Sequence, residues 1–173
     1  MAGEFYLIKS ESATDVASLD ITDCFNSTYN LYEVIYYAKR ASGSSATNSD
    51  MRFLDSTGSA ITSGYNVGEH RWDRYEARIY STTYTAINTG QLQASDRANA
   101  GRMSIANPYA DDRYTTAYAS RYMYTDNIGG ASRGRVYYGL NGLKNVQRIT
   151  GLQIFGTGGN LDIDISVYGY GEG

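Results

Sequence analysis

One histidine, one cysteine, one proline and three lysines in 173 residues leave this chain short of the groups that most often carry covalent chemistry. His70 is the only imidazole, so a Ser-His-Asp or Cys-His arrangement has a single base to draw on, and a histidine-rich metal site is excluded. Cys24 stands alone, forms no intrachain disulfide and reads as a small buried apolar residue. No apolar run approaches the roughly 20 residues a helix needs to cross a bilayer. Met1 to Ser10 lacks the basic-then-apolar pattern of a secretory signal, so a soluble chain with no membrane association is expected. A formal net charge of -3 and a pI of about 5.1 argue against a nucleic-acid binder, because neutralising several phosphates takes a clustered positive face.

What the chain has in quantity is tyrosine, 18 residues, together with twelve arginines. Tyr offers a large, rigid amphipathic face and Arg a planar fork of donors, and both are enriched where proteins meet partners while Lys is depleted there. Tyr also suits pleated strands, which accounts for part of its excess but not for the scarcity of Lys.

The periodicity is that of strands. Leu161, Ile163, Ile165 and Val167 alternate with Asp162, Asp164, Ser166 and Tyr168, which puts one face on a core. Upstream, Ile149 to Phe155 is read as alternating again, and the Gly-rich Gly156 to Asn160 between them predicts a closing β-hairpin. The same period of two marks Tyr75–Tyr80, Arg102–Ile105 and Tyr118–Tyr124. Leu31 to Ala38 is apolar or aromatic on both faces except at Glu33 and reads as a central strand. Met51 to Leu54 reads as a strand entering a turn, and Ala13 to Ile21 as a weaker strand. The sum is about eight strands with no long helix: an all-β, antiparallel, jelly-roll-like β-sandwich forming one domain over 1–173, with 1–12 as an extended N-terminal arm. Long loops are expected at 39–50, 86–101 and 107–115.

Motifs with chemistry are few. Two carboxylates suffice for glycoside hydrolysis, and Asp111 with Asp112, or Asp162 with Asp164, are the available pairs. They lack the alternating pattern of a calcium loop and read as solvated turn and strand carboxylates. Gly156-Thr157-Gly158-Gly159 lacks the Lys-Ser or Lys-Thr of a phosphate-cradling loop. Asn26-Ser27-Thr28 fits the glycosylation triplet and is read as an unmodified turn. No cofactor, metal site or catalytic set is expected, and no activity is expected to depend on His70. Arg71, Trp72, Arg74 and Tyr75 could make a stacking platform for a sugar or for nucleic-acid bases, and a strand entering the core or a protein interface is favoured over ligand stacking. Tyr122, Tyr124 and Tyr137 join them as candidate contact residues for a partner or a glycan.

The succession Leu31–Tyr37, Met51–Ser59, Gly101–Pro108, Ile149–Ile154 and Ile163–Gly169 resembles small β-rich structural proteins of tailed bacteriophages. The resemblance implies a non-enzymatic jelly-roll virion component. Because the strands begin within about twenty residues of Met1, it implies a capsid decoration or cement protein before a tail-fibre or receptor-binding protein recognising a host surface glycan. Its partners would be other virion proteins, the major capsid protein first, and self-association as a trimer is expected.

Overall fold

The computed structural model describes residues 3–45, 48–72, 77–92, 98–125 and 133–171; for 69–72, 77–83, 88, 91, 122–125 and 133–137 the description covers backbone and strand register. Among the described residues there are twelve strands and no helix: β1 Glu4–Val16, β2 Ser18–Ile21, β3 Leu31–Arg40, β4 Asn48–Asp55, β5 Tyr65–Trp72, β6 Ala77–Tyr84, β7 Ile87–Gln91, β8 Ala98–Ala106, β9 Thr116–Thr125, β10 Arg133–Leu143, β11 Ile149–Thr157 and β12 Leu161–Gly171. They form an antiparallel sandwich, with a larger sheet in the order β1-β12-β3-β8-β9-β10-β5-β6 and a smaller one in the order β2-β11-β4-β7. The chain passes repeatedly from one sheet to the other, as jelly-roll connections do.

The core lies between the sheets. From the larger one come Tyr32, Val34, Tyr36 and Ala38 of β3 and Leu161, Ile163, Ile165 and Val167 of β12, all buried, as the period of two on β12 requires. The smaller one contributes Ile21, Met51, Phe53, Ile87, Leu152 and Ile154. Tyr65 fixes the start of β5 over this core, its ring stacked at 5.9 Å on Phe53 and its hydroxyl accepting from the Phe53 amide at 2.8 Å. Where Thr89, Ser49 and Asn99 enter the interior they bond one another: the Thr89 hydroxyl meets Ser49 Oγ at 2.9 Å and Asn99 Nδ2 donates to the same oxygen at 3.4 Å.

The expected closing hairpin is corrected. β11 pairs with β2 and β4 in the smaller sheet and β12 with β1 and β3 in the larger, so residues 156–160 carry the chain across the sandwich. Each strand has its own apolar face, and facing each other across the core buries both sets, which pairing edge to edge does not. Strict alternation also fails on β11. A register shift between Ile149 and Gly151 turns both Ile149 and Leu152 inward. At Gly151 an added Cβ would run into the Ile21 carbonyl oxygen and crowd Leu54. Gly151→Ala is therefore expected to lower stability by about 1–3 kcal/mol, the usual cost of overpacking against backbone, measured by urea denaturation.

Other expectations are revised in extent. The stretch 1–12 is occupied from Glu4 onward by β1, an edge strand of the larger sheet paired with β12. β7 and the start of β8 fall where a loop over 86–101 was expected, and β5 and β10 add two strands, so twelve replace about eight. Tyr75 and Glu76, expected to begin a strand, lie outside the described residues; the strand is described from Ala77.

Candidate binding face

Residues paired in register across neighbouring strands share a face of the sheet, so the larger sheet can be read as rows. The rows alternating with the core rows look outward. One runs Phe5, Tyr170, Leu31, Ala106; the next Leu7, Tyr168, Glu33, Ser104, Tyr118, Leu140; the next Ser10, Ser166, Ile35, Arg102, Ser120, Tyr138; and the last Ser12, Asp164, Tyr37, Ala100. This outer face exposes large apolar and aromatic side chains where an ordinary solvated sheet carries polar ones. Leu140 is 71% and Leu7 58% exposed, and Phe5, Leu31, Ile35, Tyr37, Tyr118, Tyr138 and Tyr170 are exposed with them.

Local contacts hold these side chains in place. Phe5 packs on Tyr170 with ring centroids 5.1 Å apart, and Tyr118 stacks on Tyr138 at 6.5 Å with 21° between the planes. Between Ile35, Tyr37 and the edge strand, the small residues Ser10, Ser12 and Ser166 leave an open depression of about 350 Å³ bordered by Asp164. The surface thus has ridges and a hollow.

Glu33 sits in the middle of this face, only 5% exposed. Its carboxylate is satisfied locally: it pairs with the Arg102 guanidinium and accepts from Ser104 Oγ at 2.7 Å. A buried carboxylate held this way does not interrupt the apolar surface, whereas left alone it would carry a heavy desolvation penalty. Arg102 remains largely exposed beside Ile35. Charge otherwise gathers at the end of the face, where Lys39 pairs with Asp162 at 3.2 Å. The Asp15 amide, followed by Lys39, holds the Asp162 carboxyl below the usual range.

Five of the six residues singled out from sequence have described positions, and these fall in three rows. Arg71 and Tyr137 are register partners, in the row that also holds Arg121, Gly101 and the buried Tyr36. Trp72 and Tyr122 both pair with Val136, in the row that continues through Ala100 to the exposed Tyr37. Tyr124 pairs with Gly134 farther along β9. Arg74 lies outside the described residues, as do the side chains of the other five. Register thus divides the five described positions among separate rows of the larger sheet. Sequence reading missed Leu7, Ile35, Arg102, Tyr118, Tyr138 and Leu140; for all but Leu7 the available signal was their place one residue out of step with the buried positions of their strands.

The other chemical candidates are dispersed. His70 occupies a position on β5 in register with Tyr138 and Ile79. Asp111 pairs with Arg148 and Asp112 with Arg113, each at 2.7 Å and exposed, as the reading of solvated carboxylates requires. Asn26 Oδ1 accepts from the Thr28 amide at 2.9 Å, the Asx turn expected of that triplet. Among the described residues no three His, Cys, Asp or Glu side chains gather as metal ligands.

Cys24 is fully buried, and burial pushes its thiol from 9.0 up to about 12. Burial likewise raises the phenols of Tyr36 and Tyr65 above their ordinary 10.0. Because the folded-state values lie above the unfolded ones, the stability these groups contribute is complete below the unfolded values and is lost as pH rises through the window from 9 toward 12. Urea midpoints are expected to hold steady up to pH 9 and to fall steeply above it, and a thiol reagent is expected to label Cys24 only after unfolding. A midpoint that rises above pH 9 contradicts these assignments.

No family model matches the chain, and no curated protein matches it. Among solved structures, it is similar to a marine PL-14 alginate lyase from Aplysia kurodai, with 7% identity and a TM-score of 0.36 over 95% of this chain and 82% of that one. It is also similar to alginate lyase Aly36B, with 10% identity and a TM-score of 0.39 over 94% and 80%. A third likeness is to the GH43 protein BlXynB from Bacillus licheniformis, with 11% identity and a TM-score of 0.31 over 88% of this chain but 32% of that one. These likenesses concern the β fold alone.

Proposed function

We propose that the protein is a non-enzymatic virion structural protein of the decoration or cement type, which docks on a capsid lattice through the outer face of its larger sheet. The virion setting is taken from the sequence resemblance. The observation that carries the docking mode is the exposed run of Phe5, Leu7, Leu31, Ile35, Tyr37 and Tyr170 over the adjacent strands β1, β12 and β3. Contiguous apolar surface of this kind marks interaction sites.

Its scale suits a protein partner. β1, β12 and β3 together with β8, which carries Arg102 beside Ile35, make four strands spaced roughly 4.8 Å apart and about ten residues long, a patch on the order of 20 by 30 Å before side-chain relief is counted. Stable associations bury roughly 800 Å² per partner. The fitting partner surface is apolar and poor in charge, with an acceptor placed for Arg102, whose guanidinium lies beside Ile35 and is largely exposed. A chain bound across two neighbouring capsid subunits in this way resists their separation, since parting them breaks its own contacts as well. No bond-making step is involved, and a trimer would match the symmetry at which such proteins sit.

Light scattering of the isolated chain and co-sedimentation with empty capsids test the proposal together. A trimer that pellets saturably with capsids agrees with it. A monomer that stays in the supernatant at every concentration contradicts it.

A further inference from the structure

Toward the other end of the same outer face, where β9, β10 and β5 adjoin, an open depression of about 490 Å³ differs in character from the docking patch. Its floor includes Gly142, which sits in register between Thr116 and Asn66 and leaves that row without a central side chain. Around it stand Tyr114, 58% exposed on the approach to β9, Leu140, the Asn66 amide, the Thr116 hydroxyl and the Lys144 ammonium. Tyr118 is the cross-strand partner of Leu140 and is stacked on Tyr138, so exposed aromatic surface continues from the hollow along β9 and β10.

From this arrangement we infer that the depression is a binding site for an oligosaccharide chain. Aromatic and apolar walls fit the C–H faces of pyranose rings. The amide, hydroxyl and ammonium supply both donors and acceptors for ring hydroxyls, the mixture expected of a ligand that is polar at its edge and apolar on its face. The neighbouring pair Tyr118 and Tyr138 gives a further surface for a second or third ring. A nucleic-acid strand is disfavoured, because Lys144 is the one cation among the described lining residues and phosphate tracking takes several.

The inference stands apart from the capsid proposal and is tested on the isolated chain. Cellohexaose and a galacturonate hexamer serve as probes in titrations followed by amide chemical shifts, which separate a neutral from an acidic preference. Saturable binding of either probe, with shifts centred on Asn66, Thr116 and Lys144, is expected. Tyr114→Ala, at an exposed loop position, is expected to weaken it about tenfold or more, the scale of one good aromatic contact. Tyr84→Ala, at another exposed tyrosine, at the end of β6, is expected to leave it unchanged. Absence of binding by both probes overturns the inference, as does binding that Tyr114→Ala leaves intact.

Discussion

Ile165→Asp is expected to unfold the protein or to cost about 4 kcal/mol or more, a large share of the roughly 5–15 kcal/mol that holds a domain together. Ile165 is buried on β12, in register with Tyr36 on one side and Glu11 on the other, and its side chain enters the space between the sheets. An aspartate there enters the apolar cluster and must either desolvate its charge or take up a proton. Ile163→Asp, two residues along the same strand and equally buried, should behave alike. Asp164, between them, faces outward, and Asp164→Ala should leave the melting temperature nearly unchanged. Thermal melts of the three variants check this. If the two isoleucine variants melt like the parent, the core assignment of β12 is wrong.

The second large effect is on association. Ile35→Asp places a charge at the centre of the apolar patch, beside Arg102 and over the hollow lined by Ser10 and Ser166. The side chain is already exposed, so the fold should be retained with an unchanged circular dichroism spectrum. Capsid affinity should fall by roughly 30-fold or more, since truncating or charging a central anchor typically removes 2 kcal/mol and each 1.4 kcal/mol is tenfold. Val146→Asp, exposed in the loop before β11, is the matched control and should bind as the parent does. Equal binding by both variants would remove the outer face from the docking role.

Much of the architecture was legible in the residues because burial and alternation coincide on its central strands. On β12 the four apolar residues are the four core residues, and on β3 Tyr32, Val34, Tyr36 and Ala38 take the inward positions. What escaped was of two kinds. Local pattern says that β11 and β12 each have an apolar face, but not that they belong to different sheets, and the bulge at Gly151 disguises which β11 residues turn inward. β7 and β10 were hidden by composition. β7 buries Thr89 by bonding it to Ser49, and β10 carries Gly134, Gly139 and Gly142, so neither displays the apolar alternation that marks a strand.

The candidate binding face was legible in its materials and not in its placement. An excess of Tyr and Arg pointed to a contact surface, and the residues read from sequence, from Arg71 to Tyr137, have side chains outside the described ones. The face itself is assembled from residues far apart in sequence, Leu7 on β1, Ile35 on β3 and Arg102 on β8, joined only by strand register. Glu33 shows why sequence misleads here. A glutamate within an apolar strand suggests an outlet to water, whereas pairing with Arg102 and Ser104 lets it sit buried within the face.

The measurement that bears most directly on the assembly proposal is the position of the chain in purified phage particles by electron cryomicroscopy. The account predicts density on the capsid exterior bridging neighbouring subunits, with Leu7, Ile35 and Tyr37 turned toward the lattice. Particles that lack the chain, or that hold it with this face open to solvent, would contradict it.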